Sequence, residues 1–319
     1  MSQGPITLTQ NEFLTGLTNL ALFMRLYATN TSSKPSDFVD SFVTDTITNG
    51  NTKIFHWSEI PNVTDYSETS SLLTVTKVEA GEEFLQINHR KVIKSSYSRY
   101  ILSGAFTSDT GMNDFIGYIL SQMESSKTDH LYNKIISNLF NKTYLKNTQE
   151  QSVNQYDLTG ATDFQNLNAG QLLNQKNIAI ALQNIIENVQ VYNNDYSGLG
   201  HTQALSLDNM KIIFNEPYHN ESVVNLMSTL LNSKYINENF NRPQLYTIPS
   251  IKIPNGKNNI IGWLLHRYAY QIFYKFVYMG SFFDESNLVI NNFLHFWYGE
   301  GWLENLPTVQ FKTNIITLP

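Results

Sequence analysis

The chain has 319 residues, 41% of them hydrophobic and 13% aromatic, a formal net charge of −6 and no cysteine. That length and apolar content bury a large core and exclude a disordered chain. The missing cysteines exclude a disulfide framework, a thiolate metal site and a cysteine nucleophile, and the acidic balance argues against binding nucleic acid through an overall basic surface.

Charged residues make up only 15% of the chain, against roughly 25% in an ordinary soluble domain. Two readings fit: a surface largely covered by copies of the chain or by partners, or base bias in an AT-rich genome. The opening MSQGPITLTQNEFL lacks a basic stretch followed by an apolar run, so no secretory signal is expected. No apolar run reaches the roughly 18 residues of a membrane span. The expectation is a soluble protein made in a reducing compartment.

In chain order, Thr9-Gln10-Asn11-Glu12 has capping-box spacing and precedes a one-faced stripe of Phe13, Leu17, Leu20, Met24 and Tyr27, which predicts a helix. Residues 28–37 read as a loop. From Ile54 to Lys94 the period moves toward two. Strands are expected at Ile54–Trp57, at Leu73–Thr76 and from Leu85 onward, with an acidic turn at Glu79–Glu83 between the last two. So short a set of strands reads as an extended hairpin arm with too little apolar surface to stand alone.

The most informative stretch follows. Phe115, Ile116, Ile119, Leu120, Met123, Leu131, Ile135, Ile136, Leu139 and Phe140 fall at helical spacing, and no Pro or Gly interrupts the polar turn between them. Met112 to Phe140 would be a helix of about 29 residues, roughly 43 Å long. Residues 141–163 are rich in Asn, Gln and Thr and mark a subdomain boundary.

A second helix is expected over Ile178–Val189, a buried strand at Met210–Phe214, and a helix capped by Asn220. A strand at Leu245–Ile253 is broken by Pro249 and so should lie at an edge. Ile260–Leu265 is a further strand, and His266–Phe283 fits helix or strand. Leu288–Tyr298, apolar at period two on both faces, reads as a central or interface strand.

Motifs for chemistry are weak. Asn255-Gly256-Lys257-Asn258 lacks the upstream glycine and the hydroxyl of a phosphate loop, and no two of the seven histidines stand four apart as a helical zinc pair would. His130 follows Asp129 on the long helix and reads as solvated or at an interface. Trp297, Tyr298, Glu300, Trp302 and Glu304 would allow two carboxylates to act on a sugar gripped by aromatic rings. The plainer reading is an aromatic strand end packed on a neighbour, with Glu300 and Glu304 in a glycine-containing loop. His89, Arg90, Lys91, Lys94 and Arg99 form the basic concentration of the chain, close after Glu79, Glu82 and Glu83. That order favours pairing between copies over phosphate contact, with a solvated strand face as the alternative.

Three collinear stretches carry a resemblance. The first holds EEFLQI, GAFTSDTGMNDFIGYIL and HLYNKIISNLF within Glu82–Phe140; the second is NMKIIFNEPYHN at 209–220; the third runs from LLHRYAYQIFYKF to NLVINNFLHFWYG at 264–299. Together they are spread over more than half the chain, from Glu82 to Gly299, and resemble the major capsid protein of small, short-tailed, picovirus-like bacteriophages of Gram-positive bacteria.

The resemblance implies an α+β chain with the Hong Kong 97-type capsid fold. Residues 1–45 would be an N-terminal arm, 46–100 an extended loop over a neighbouring subunit, and 101–160 a peripheral domain with the spine helix. Residues 161–285 would form the axial domain, and 286–319 would return to the peripheral domain. It further implies pentamers and hexamers of an icosahedral shell around double-stranded DNA, with Lys77, Arg90, Lys91, Arg99 and Trp57 contacting other copies. No catalysis, cofactor, metal or membrane is implied. Partners would be the chain itself, the portal, scaffold or decoration proteins of the same phage, and DNA by weak non-specific contact. The protein would be made in the host cytoplasm and end in the virion. Lys53 and Lys77 lie in the loop region, but no motif singles out a lysine–asparagine pair, so cross-linking is not predicted. The alternatives are a minor shell protein of the same fold and, from a different class, the carbohydrate-active enzyme using Glu300 and Glu304.

Overall fold

A computed structural model of the chain describes residues 34–46, 50–61, 63, 77–98, 109–142, 155–157, 186–216, 244–257 and 260–312. The helices expected near Phe13 and after Asn220, and the strand at Leu73–Thr76, lie outside these residues. Of the helix expected over Ile178–Val189, only its last turn is described. Two compact units are interleaved in sequence: Met1–Thr52, Gln86–Ile135 and Ile272–Gly301 in one, Lys53–Leu85, Ile136–Gln271 and Trp302–Pro319 in the other.

The first unit opens with helix α1, Lys34–Asp40, which begins within the segment 28–37 expected to be a loop. Pro35 in its first turn pre-sets a helical φ, and Phe38, Val39 and the following Phe42 are buried. Phe38 meets Tyr132 edge-on at 5.3 Å. Tyr132 belongs to α2, Asp109–Asn141, which runs 33 residues without a break; it extends the expected helix at both ends and measures about 50 Å.

Beneath α2 lie β2, Ala80–Ser98, β7, Tyr270–Asp284, and β8, Val289–Trp302. β8 is the central strand of these, between β2 and β7. β2 and β8 pair antiparallel from Ile87↔Gly299 to Ser98↔Val289, with one irregularity between Ile87 and His89. The ambiguous stretch after His266 is thus resolved as strand by its place beside β8. On one face of this sheet Ile93, Tyr97, Met279 and Leu294 pack on Ile119 and Met123 of α2.

The second unit holds β1, Thr52–Ser58, beside the start of β2. The expected acidic turn at Glu79–Glu83 is strand from Ala80, because a pairing partner is present: the N–H of Glu59 donates to the carbonyl of Glu79 at 2.8 Å. Gly81 is needed there, since a Cβ would strike the ring of Trp57.

The core of the second unit is a sheet in the order β3-β9-β6-β4-β5, built from β3, Gln155–Asp157, β4, Met210–Asn215, β5, Gln244–Ile248, β6, Ile260–His266, and β9, Thr308–Lys312. β5 is at an edge, as Pro249 required. Every residue of β4 and the first six of β6 are buried. Ile186, Val189, Leu205, Ile212, Phe214, Leu264 and Phe311 form a single cluster. Trp263, also fully buried, takes the edge of Phe140 at 4.9 Å. Gly262 lets β6 approach β4: a Cβ there would meet the carbonyl of Ile213 and the backbone of Phe214.

Candidate functional site: an open sheet face and its ionic braces

A strand turns successive side chains to opposite faces, and β8 obeys this rule along its length. Asn292, Leu294, Phe296 and Tyr298 are buried, while Phe293, His295 and Trp297 between them are half-buried. The register sets Arg90 opposite Trp297, Val92 opposite His295 and Lys94 opposite Phe293. The Arg90 guanidinium lies 4.6 Å from the Trp297 ring and the Lys94 ammonium 5.9 Å from Phe293. Phe276 of β7 touches Trp297 at 5.4 Å and stacks on Tyr278 at 5.8 Å. Tyr278 is 55% exposed and Phe282 62%. The outward positions of β2 from Arg90 to Ser96 and of β8 from Asn291 to Trp297 carry two cations and no carboxylate.

The opposite face is braced by ions. Glu300 is 7% exposed at its side chain, and its Oε1 lies 2.8 Å from His89 Nε2 and 3.1 Å from Lys134 Nζ. One carboxylate thereby ties β2, β8 and α2. Next to it, His130 Nε2 and the Tyr298 hydroxyl share a hydrogen bond of 3.0 Å. Burial, helped by the charge of Lys91, holds the His130 pKa below its ordinary value. Burial also pushes the Tyr298 phenol up, with Glu300 adding to the effect. The pair is therefore uncharged at neutral pH.

A second brace lies wholly in the other unit. Lys142, 3% exposed at its side chain, donates to both carboxylate oxygens of Glu304 at 2.8 and 2.9 Å. Its ammonium stands 4.4 Å from the Trp302 ring. Burial lowers the Lys142 pKa, and the bonds to Glu304 oppose that shift. Glu83 accepts the N–H of Asn305 at 3.0 Å, yet burial raises its pKa. Such pairs add little net stability over apolar replacements but are costly to break from one side, so they fix geometry.

The five residues expected to contact other copies have different surroundings. Arg90 and Lys91 are exposed on opposite faces of β2, Arg90 on the aromatic face and Lys91 toward His130. Lys77 is exposed just before β2. Trp57 packs on its own chain, its ring 4.0 Å from that of His201, whose Nδ1 lies 3.0 Å from Glu59. Arg99 is outside the described residues. Glu300 stands in strand β8, not in the expected loop; it is held by His89 and Lys134, and Glu304 is held by Lys142.

Sequence reasoning missed Phe276 and Tyr278 as outward aromatics and Lys134 as a partner of Glu300. The spacing of His130 and Lys134, four apart on one helix, was the available signal. Among the described residues no group of His, Asp and Glu is arranged to hold a metal ion, and no helix is long and apolar enough to cross a membrane.

A family model described as "Phi29-like phage major capsid protein" matches residues 9–311. No curated protein matches the sequence. Among solved structures, the chain is similar to the capsid of a native GTA particle, with a TM-score of 0.58 and 11% identity over 89% of this chain and 92% of that one. It is similar to the capsid of Staphylococcus phage Andhra, with a TM-score of 0.55 and 10% identity over 86% and 83%. The capsid of Cyanophage P-SCSP1u gives a TM-score of 0.54 and 13% identity over 86% and 87%. At such identities these structures speak to the fold alone.

Proposed function

Because the chain belongs to the Phi29-like phage major capsid protein family and has the Hong Kong 97-type capsid fold, we propose that this major capsid protein closes into pentamers and hexamers of an icosahedral shell around double-stranded DNA. The observation that carries the step from family to assembly is the sheet of β2, β7 and β8, packed on α2 by one face and presenting aromatic rings and two cations on the other. Interfaces between subunits favour aromatics and arginine in this way.

In this reading residues 1–45 are the arm, 46–100 the extended loop, 101–160 and 286–319 the peripheral domain, and 161–285 the axial domain. Lys77, Arg90, Lys91 and Arg99 set register between copies, and Trp57 stiffens the root of the loop. The chain performs no catalysis; Glu300 and Glu304 are braces. Its partners are other copies, the portal, scaffold or decoration proteins of the same phage, and DNA by weak contact. It is made in the host cytoplasm and ends in the virion.

Electron microscopy of the purified protein under assembly conditions tests this reading. Icosahedral shells with five- and six-fold capsomers are expected. A stable monomer at high concentration would overturn it.

A further inference from the structure

His130 of α2 sits where helix and sheet meet inside the first unit. Its ring stands edge-on to Phe296 at 6.0 Å, and its Nε2 shares the 3.0 Å bond with the hydroxyl of fully buried Tyr298. Titratable groups face it from each element packed there: Lys134 from α2 itself, His89 and Lys91 from β2, and Tyr298 and Glu300 from β8. The carboxylate in this set, Glu300, is already engaged by His89 and Lys134 through its Oε1. Burial keeps Tyr298 un-ionised, so its hydroxyl supplies no negative charge. Asp129, next along the helix, is exposed. A proton on His130 therefore adds a cation beside Lys91 and Lys134, in a place from which water is largely excluded.

We propose that His130 is a proton-operated latch: its neutral ring holds the middle of α2 against β8 through Tyr298, and its charged ring lets that stretch of helix loosen from the sheet. The latch belongs to a single subunit and does not depend on the assembly reading above. Above about pH 6.5, the ordinary midpoint of the ring, neither the folded nor the unfolded chain carries the proton, and the contact is whole. As the pH falls below that value, the unfolded chain accepts a proton that burial and the charge of Lys91 make the folded chain refuse. The stability held by the contact is then lost until the pH passes the lower midpoint of the folded ring. Leu131 and Ile135, beside the ring on the helix, are buried, so loosening here exposes apolar surface. Protonated histidines change packed contacts in this way within the same pH range.

Histidine-ring NMR and amide hydrogen exchange on the unassembled full chain test the latch. The His130 ring should titrate below an ordinary histidine. Protection from Leu131 to Ile135 is taken relative to that of β4, which cancels the pH dependence of exchange itself. This ratio should fall several-fold between about pH 7 and about pH 5, the range in which histidines charge. His130→Gln keeps a hydrogen-bonding group for Tyr298 and cannot take a charge. Its ratio should match the wild type at neutral pH and hold in mild acid. Lys91→Ala removes an exposed cation that faces the ring; it should raise the His130 midpoint toward the ordinary value and shrink the acid loss. This second variant gives the answer if His130→Gln does not fold. A ring that titrates at the ordinary value or above would overturn the proposal, as would an acid loss in α2 that either variant leaves unchanged.

Discussion

In the five-stranded sheet, β4 and β6 are buried on both faces, whereas β8 of the four-stranded sheet is buried on one face and half exposed on the other. The first sheet finds its packing partners within the chain. Among the described residues the second finds them on the α2 side, and its other side is the more aromatic and cationic. If stability and assembly are carried by different strands, substitutions should separate them.

The largest effect should come from the closed sheet. Phe214→Ala removes a fully buried ring from the cluster of Ile212, Leu264 and Phe311 and should cost about 3–5 kcal/mol. Denaturant unfolding of the unassembled chain measures it; a loss below about 1 kcal/mol would mean that this core is not closed.

Acid should act on the same sheet. Burial, helped by the neighbouring Arg267 and Lys211, pushes the His266 pKa down to about 4, and its Nδ1 accepts the N–H of Tyr268 at 3.1 Å. Between the usual 6.5 and about 4 the unfolded chain binds a proton that the folded chain refuses. The contribution of His266 is thus complete above about pH 6.5 and is lost as the pH falls toward 4. His266→Asn should make stability less dependent on pH across that window, by about 2–3 kcal/mol. An unchanged acid slope would remove His266 from the account.

The smallest effect belongs to the open face. Arg90→Ala should change the stability of the unassembled chain by less than about 1 kcal/mol, the range of an exposed cation–π contact, while shell yield falls. Equal loss in both measurements would erase the difference between the two sheets.

Where local pattern and final environment agree, the sequence was readable. β4 is apolar but for Lys211 and Asn215, and β6 is apolar to Leu265, because both their faces are buried; β5 lies at an edge because Pro249 ends its ladder, and α2 keeps one apolar stripe. Reading failed where a distant partner decides. The helix at Lys34 depends on burying Phe38 and Phe42 and the strand at Ala80 on pairing with β1; the stretch after His266, which fits helix or strand by pattern, is decided by its place beside β8. Residue types in the open face were visible, but its composition was not. Trp297, Arg90 and Phe276 become neighbours only through strand register, and Glu300 meets Lys134 only because α2 covers β8.

The alternation along β2 gives every position an addressee. Ile93 and Tyr97 are read by the chain's own helix; Arg90, Val92 and Lys94 point away from it. Because the period is two, inserting one residue between His89 and Arg90 would exchange the two audiences at once. Cations would then face Ile119 and Met123, and Ile93 would face outward. A one-residue frame in this strand therefore separates the side chains the subunit keeps for its own core from those it leaves facing outward.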